Sequence, residues 1–192
     1  QNEKLNEFQA GFRKNYSTVD NIFNLMSIVK LRLSKKRRKV YAFFVDFSAA
    51  FDNVDRHSLF YKLYMIGLSS KVVHVIRDLF TDTKSRIWCQ EGVTRDFETA
   101  MGVKQGCILS PLLFALFLND ISDNIKGGVD VGGKKIKLLA YADDIVFLAE
   151  SKNELQESIR KLEQYCRMWN LKVNLDKSKI MVFRNGGKVA KD

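Results

Sequence analysis

The chain has 192 residues, of which 46% are hydrophobic and 28% charged, so it is long enough for one globular domain with a sizeable core. Its net charge of +10 favours a polyanionic partner, and nucleic acid is the commonest one. No apolar run is long enough to span a bilayer, no secretory signal opens the chain, and three scattered cysteines with two histidines argue against a zinc site. We therefore expect an intracellular protein.

The first predicted elements are a helix, a basic loop and a buried strand. Ser17 and Asp20 form a capping-box start for a helix in which apolar residues recur at helical spacing as far as Leu33. The run 35–39 contains five consecutive basic residues. Taken alone, this run could contact phosphate, direct nuclear import or form a solvated loop. The run 40–45 is continuously apolar, which is typical of a buried strand.

Two acids follow this strand, Asp46 directly and Asp52 six residues later. An acid at the carboxyl end of a buried strand is either a helix N-cap or a functional ligand. Two helices are predicted next, over 55–66 and 69–80. We assign the N-cap to Asp52, because the first of these helices begins just beyond it. Asp46 lies too early for that role and is expected to face a site.

The rest of the chain predicts a mixture of strands and helices. Residues 83–101 alternate like strands, and Ser110-Pro111 is predicted to open a helix that runs to about Ile121, with Ser110 as its N-cap. A capping box at Ser151 opens a long amphipathic helix. Short strands are predicted at 171–173 and 180–183. The absence of repeats and linkers favours one compact α+β unit.

The most informative segment is the pair Asp143-Asp144, where two apolar, strand-forming runs meet. This arrangement predicts a β-hairpin with two carboxylates at its tip. Adjacent like charges repel, which favours a divalent cation at the tip, whereas the alternative is an ordinary solvated turn. If Asp46 ends a neighbouring strand, three carboxylates could hold two Mg²⁺ ions. Two such ions activate an attacking hydroxyl and stabilise a pyrophosphate leaving group.

Five segments, in order, resemble motifs of reverse transcriptases, most closely those of non-LTR (LINE-type) retrotransposons. They are Gln9-Ala10-Gly11-Phe12-Arg13 with Ser17-Thr18, Val45-Asp46 with Ala50-Phe51-Asp52, the run from Gly102 to Phe114, Tyr141-Ala142-Asp143-Asp144, and Asn174-Leu175-Asp176-Lys177-Ser178. The resemblance implies an α+β right-hand polymerase palm, a small antiparallel sheet packed on helices, with part of the fingers and without the thumb. It implies partial fingers over 1–39 and mainly palm over 40–192, with interleaved fingers elements around 55–105.

The resemblance also implies a function, that of an RNA-directed DNA polymerase. Such an enzyme adds dNTPs to a primer 3′-hydroxyl on an RNA template, using two Mg²⁺ ions for which Mn²⁺ can substitute. The implied partners are the RNA template, a DNA primer, dNTPs and the remainder of a larger retroelement polyprotein, with no membrane. Nuclear residence is expected from the retrotransposon resemblance and the basic run 35–39.

Two alternatives to this function remain. The first is a truncated or domesticated module that binds nucleic acid without synthesis. The second is an RNA-dependent RNA polymerase, which shares the palm chemistry. The bulky Phe51 and the Tyr141-Ala142 pair before the acids argue against this second alternative.

The resemblance assigns roles around the acids. Asp46 and Asp143 are implied as the principal metal ligands, with Asp144 as a nearby third acid and the backbone carbonyl of Phe47 as a further ligand. Lys177 matches a lysine proposed to protonate the leaving pyrophosphate, although it could equally be a solvated surface lysine.

Further implied roles concern the nucleotide. Phe51 matches an aromatic residue that excludes the 2′-hydroxyl of the incoming nucleotide, and its alternative is plain core packing. Gln105 and Gly106 lie in a turn that contacts the nascent pair and template. Lys104 stands where many relatives have proline, and it places a positive charge near template or primer phosphate.

The remaining implied contacts come from the fingers and from the acidic hairpin. Arg13 and Lys14 would grip the triphosphate or the template, or else be exposed charges before a helix. Tyr141 would lie against the primer terminus.

Overall fold

Helices and short strands alternate along residues 4–186, the part of the chain that the computed structural model describes. In chain order they are α1 Thr18–Leu33, β1 Lys39–Val45, α2 Arg56–Met65, α3 Ser70–Phe80, β2 Lys84–Ser85, β3 Trp88–Cys89, β4 Gly92–Val93, β5 Phe97–Glu98, α4 Ser110–Phe117, β6 Val129–Val131, β7 Lys134–Ile136, β8 Leu138–Tyr141, β9 Asp144–Ala149, α5 Lys152–Trp169 and β10 Lys179–Arg184. This mixture confirms the predicted α+β class. Among these residues, no helix is both long and apolar enough to cross a membrane.

The central sheet has the strand order β10-β1-β9-β8, and all its pairings are antiparallel. The predicted hairpin is confirmed as β8 and β9, which pair from Leu138 opposite Phe147 to Tyr141 opposite Asp144. The N-terminal segment extends the sheet beyond β8, because Gln9 forms a parallel bridge with Ala140. The sheet therefore places β1 next to the hairpin that carries the paired acids.

Helices cover both faces of this sheet. On one face, α2, α4 and α5 enclose a core in which Phe114, Phe117 and Phe147 are fully buried. On the other face, α1 packs Ile28 and Val29 against apolar residues of the sheet. Burial of both sheet faces explains why β1 is apolar along its length rather than alternating.

Two predicted N-caps and one predicted strand are wrong. Asp55, not Asp52, is the N-cap of α2, and its carboxylate accepts the N–H of Ser58 at 2.7 Å. A cap must lie next to the first helical residue, and a turn over 48–53 delays the helix beyond Asp52. Helix α4 has Leu109 as its N-cap and ends at Phe117, before the predicted end. The predicted strand 171–173 is only an isolated bridge between Phe47 and Val173.

A buried lysine, Lys62, links α2 to α4 and α5. Its ammonium donates to the carbonyl oxygen of Phe117 at 2.8 Å, the carboxylate of Asp120 at 2.6 Å and the hydroxyl of Tyr165 at 2.6 Å. It also lies 4.0 Å from the centre of the Trp169 ring. Burial opposes the charge more than Asp120 favours it, and the pKa of Lys62 falls to about 8.

Lys62 should make stability rise with pH above about 8. Between that pKa and the ordinary lysine value of 10.5, the unfolded chain keeps a proton that the folded chain has released, so the free energy of unfolding increases with pH. From pH 7 to 9.5, wild type should gain about 1–2 kcal/mol relative to Lys62→Met. Urea denaturation at both pH values measures this gain. Identical pH slopes for the two proteins would contradict the prediction.

Candidate active site

The three acids lie at the same end of the central sheet. Strands β1 and β9 pair up to Val45 opposite Ile145, and the next residues at that end are Asp46 and Asp144. Asp143 lies in the turn that connects β8 to β9. Asp46 and Asp144 therefore come from paired strands, with Asp143 beside them, as the sequence pattern predicts.

The segment 174–178 fixes the backbone of Asp46. The N–H of Asp46 donates to the hydroxyl of Ser178 at 3.1 Å, and its carbonyl oxygen accepts the N–H of Asn174 at 2.8 Å. Lys177, from the same segment, places its ammonium 4.0 Å from the Asp46 carboxylate. The motif after α5 is thus joined to the end of β1 by one main-chain hydrogen bond, one bond from the main chain to a serine hydroxyl, and one loose ion pair.

The negative charge of the three acids is only weakly offset by Lys177. Partial burial, followed by the charges of Asp143 and Asp46, raises the pKa of Asp144 above its ordinary value. The side chain of Lys177 is 71% exposed, so solvent screens its attraction for the acids. A cation at this point would relieve the repulsion.

The chemistry of these donors fits a hard divalent cation. Three carboxylates from a strand end and an adjacent hairpin supply the oxygen ligands that Mg²⁺ prefers. Among residues 4–186, however, no three His, Cys, Asp or Glu side chains converge closely enough to hold a metal as they stand. A bound ion would therefore have to draw the carboxylates closer together.

Asp144→Asn should stabilise the metal-free protein. The amide keeps the shape of the side chain and removes a charge that burial and two like-charged neighbours oppose. We expect a gain of about 0.5 kcal/mol, which is small because solvent screens this largely exposed group. The thermal midpoint in EDTA should rise by about 1–2 °C. Glu91→Gln, at an exposed acid in the turn between β3 and β4, is the control and should change nothing, whereas a lower midpoint for Asp144→Asn would contradict the repulsion.

Phe51 lies at the edge of the core. Its ring stacks on the fully buried ring of Phe114, with centroids 4.6 Å apart and planes inclined by 21°. The side chain is half-buried, so one face of the ring packs in the core and the remainder faces outwards. This placement is compatible with both roles predicted for Phe51.

The loop that carries Gln105 is joined to the segment after Asp46. The N–H of Val103 donates to the carbonyl of Phe51 at 2.9 Å. A Cβ on Gly102 would lie 2.8 Å from the carbonyl oxygen of Asp52, and its φ of +81° also favours glycine. The side chain of Gln105 donates to the carboxylate of Asp52 at 2.8 Å. Asp52, assigned above as a helix cap, instead holds Gln105.

The neighbours of Gln105 in this loop are exposed. The ammonium of Lys104 lies 5.8 Å from the centre of the Phe80 ring. Gly106 has φ of +80°, and no atom lies within 4 Å of the position that a Cβ would take. Both residues are thus open to a ligand from outside.

Arg56 is a buried residue that the sequence pattern did not reveal. It is 9% exposed, and its guanidinium donates to the carbonyl oxygens of Met101, Gly102 and Phe80 at 3.1, 2.9 and 3.0 Å. A further bond of 2.7 Å reaches the hydroxyl of Thr83. Arg56 thereby fixes the loop of Gln105 to α2 and to the end of α3.

The predicted fingers residues differ in their surroundings. Arg13 is half-buried, donates to the carbonyls of Asn6 and Gln9 at 3.3 Å, and lies over the ring of Tyr16. Lys14 is exposed. Arg13 is therefore engaged within its own loop, whereas Lys14 points into solvent.

Tyr141 lines a groove beside the acids. The groove has a volume of about 380 Å³, and Asp46, Asp144 and Lys177 also line it. Tyr141 itself is half-buried. The structure thus gathers Tyr141 and Lys177 with two of the acids along one groove.

The basic run 35–39 lies away from this groove. It ends at the first residue of β1, whereas Asp46 follows the last. The seven residues of β1 span about 20 Å. The run is exposed and, within residues 4–186, none of its side chains takes part in an ion pair. It forms a basic surface separate from the acids.

Comparisons with known proteins agree with this geometry. Residues 1–189 match the family described as "Reverse transcriptase (RNA-dependent DNA polymerase)". The RNA-directed DNA polymerase from mobile element jockey of Drosophila melanogaster is 27% identical over 93% of this chain and 20% of that protein. The Pol polyprotein from retrotransposable element R2DM of the same organism is 29% identical over 88% of this chain and 16% of that protein. The chain thus spans about a fifth of the length of these relatives.

Solved structures show the same fold. Telomerase from Candida tropicalis, solved with a fragment of telomeric RNA, superposes with a TM-score of 0.72 at 17% identity, covering 91% of this chain and 30% of that one. The predicted fold, a palm with part of the fingers, is confirmed by this likeness. The predicted kinship with non-LTR retrotransposon polymerases is confirmed by the curated relatives. On its motifs, its fold and these matches, the chain belongs to the reverse transcriptase family.

Proposed function

We propose that this chain is the catalytic core of an RNA-directed DNA polymerase, which adds dNTPs to a primer 3′-hydroxyl on an RNA template. The observation that carries the proposal is the position of the three acids: Asp46 directly follows β1, Asp144 begins the neighbouring strand β9, and Asp143 lies in the adjoining turn. Two curated relatives, both named as the RNA-directed DNA polymerase from mobile element jockey, support it. As the chain spans about a fifth of those relatives, we also propose that it works as part of a larger retroelement polyprotein.

The acids would hold two Mg²⁺ ions, for which Mn²⁺ can substitute. We assign Asp46 and Asp143 as the principal ligands, Asp144 as the third acid, and the carbonyl of Phe47 as a further ligand. When bound, the ions supply activation of the attacking hydroxyl and neutralisation of the triphosphate. Lys177, near Asp46, would donate a proton to the departing pyrophosphate.

The incoming nucleotide would lie between the acids and the loop of Gln105. Phe51 would pack under its sugar and exclude a 2′-hydroxyl, while Gln105 would contact the nascent base pair. Arg13 and Lys14 would act on the triphosphate or template from the fingers. The bonds of Arg13 within its own loop make Lys14 the freer of the two to do so.

The template-primer duplex would be bound mainly through its phosphates. Tyr141 would contact the primer terminus, with Gly106 and Lys104 beside the template. The net charge of +10 and the exposed run 35–39 support binding that is salt-dependent and largely independent of sequence. The same run supports nuclear residence.

The chain would be divided into fingers and palm as the sequence predicts. Residues 1–39 would belong to the fingers and 40–192 mainly to the palm, with fingers elements interleaved around 55–105. The bonds between the Gln105 loop and residues 51–56 support a close connection between the two parts.

Primer extension combined with binding tests the proposal. The wild-type chain is incubated with an RNA template annealed to a DNA primer, dNTPs, and Mg²⁺, Mn²⁺ or EDTA, and its duplex affinity is measured in parallel at two salt concentrations. We expect salt-sensitive binding in every case and extension only with metal. Binding without extension under any condition would refute the proposal for this chain and assign it as a module that binds nucleic acid without synthesis.

A further inference from the structure

The turn that carries Asp143 and Asp144 contains a backbone conformation that needs support. Ala142, which precedes the acids, has φ of +58°. For a residue with a side chain, this left-handed region costs about 1 kcal/mol or more, and it persists only where the surroundings enforce it. Contacts that hold Ala142 therefore also determine where the two acids point.

The side chain of Gln9 takes up both backbone polar groups of Ala142. Its Oε1 accepts the N–H of Ala142 at 2.9 Å and that of Gly11 at 2.8 Å, and its Nε2 donates to the carbonyl of Ala142 at 3.1 Å. Gln9 is 1% exposed, so these bonds are shielded from water. An amide offers a donor and an acceptor side by side on one planar group. An ionised carboxylate lacks the donor and an apolar side chain lacks both, so neither can reproduce this pattern.

The main chain on either side of Gln9 also contacts the hairpin directly. Ala10 donates its N–H to the carbonyl of Ala140, and the N–H of Ala140 donates to the carbonyl of Phe8, both at 2.9 Å. A Cβ on Gly11 would lie 2.2 Å from the backbone nitrogen of Ala142. The segment 8–11 is thus docked directly on the acid-bearing turn.

We propose that Gln9 is a positioning residue that holds the turn of Asp143 and Asp144 in the geometry that binds metal and supports nucleotide addition. The inference rests on the proposed function, since the acids must ligate metal for their position to matter. Without the amide, Ala142 loses the bonds that offset its strained conformation, and the turn relaxes. A displacement of about 1 Å can cost a reaction about 10²-fold.

The test compares Gln9→Met with Asn119→Ala. Methionine keeps the length and volume of Gln9 but offers neither a strong donor nor a strong acceptor. Asn119 also tethers the N-terminal segment, since its side chain accepts the N–H of Asn6 at 2.7 Å and donates to the carbonyl of Lys4 at 2.9 Å. None of these bonds reaches the turn, so Asn119→Ala controls for general loosening of the segment.

Three properties are measured for both variants. They are hydrogen exchange of the Ala142 amide, Mn²⁺ affinity by electron paramagnetic resonance, and kcat and KM for primer extension. For Gln9→Met we expect faster exchange at Ala142, an affinity for Mn²⁺ about tenfold weaker, and kcat lower by about 10²-fold with KM for primer-template unchanged. Asn119→Ala should retain the wild-type value in each. Gln9→Asn, one methylene too short to bridge Ala142, should behave like Gln9→Met and serves if methionine prevents folding.

The outcomes separate this inference from the proposed function. A folded Gln9 variant with wild-type exchange at Ala142, Mn²⁺ affinity and kcat would overturn the inference. Failure of wild type to extend primers would overturn the proposed function alone. In that case exchange at Ala142 and Mn²⁺ affinity still decide whether Gln9 positions the turn.

Discussion

Replacing Arg56 with methionine should lower the free energy of unfolding by about 2–4 kcal/mol. The methionine side chain fills a similar volume, but it leaves the carbonyl oxygens of Met101 and Gly102 without the donor that now satisfies them. The carbonyl of Phe80 loses one of its two donors and keeps the hydroxyl of Thr83. Each buried acceptor left unsatisfied costs about 1–3 kcal/mol. The loss should therefore exceed that of most single substitutions.

Chemical denaturation of Arg56→Met beside Arg160→Met measures this loss. Arg160 has a side chain that is 67% exposed and a 3.8 Å ion pair with Glu157, so its replacement should cost no more than about 0.5 kcal/mol. A cost for Arg56→Met as small as that of the control would show that the loop of Gln105 does not depend on Arg56.

Phe51→Val should weaken the preference for deoxynucleotides over ribonucleotides by about 10²-fold in the ratio of kcat/KM values. The ring of Phe51 is held against the fully buried ring of Phe114, so it cannot easily turn aside to admit a 2′-hydroxyl. Valine removes most of the ring while leaving an apolar side chain. Room for the hydroxyl then removes the steric penalty on which discrimination depends.

Single-nucleotide incorporation with dNTPs and rNTPs measures this change, and thermal unfolding is followed in parallel. Phe23→Val is the matched control, because Phe23 lies on α1 with 69% of its surface exposed. If Phe51 only packs in the core, the variant should lose stability and keep its selectivity. That result would contradict the role proposed for the ring.

The parts of the fold that local pattern determines were predictable. The acidic hairpin follows from two apolar runs that meet at paired acids, and the capping box of α1 follows from the spacing of Ser17 and Asp20; both are present. The adjacency of Asp46 to the hairpin was also predictable, since each acid adjoins an apolar, strand-forming run. The helical spacing of apolar residues predicted α1 but not which of those residues are buried. Ile22 and Met26 are 62% and 58% exposed. The sheet beneath α1 covers only part of its apolar face.

The parts that depend on contacts distant in sequence were not predictable. Arg56 bonds to carbonyls up to 46 residues away, and Gln9 bonds to Ala142 across 133 residues. A polar residue that binds main-chain groups leaves no periodic signal, and its partners carry no distinctive side chain. The role of Asp52 was missed for a related reason, because the turn that separates it from α2 has no clear mark in the sequence.

Primer extension by wild type, Asp143→Asn and Asp78→Asn, on an RNA template with a DNA primer and Mg²⁺ or Mn²⁺, decides whether these acids form the metal site. All three proteins must first show cooperative unfolding. We expect extension by wild type and Asp78→Asn, and a loss of about 10³-fold or more for Asp143→Asn, since losing several kcal/mol of metal-dependent stabilisation has that effect. Extension by Asp143→Asn at the wild-type rate would contradict the assignment of these acids to the metal site.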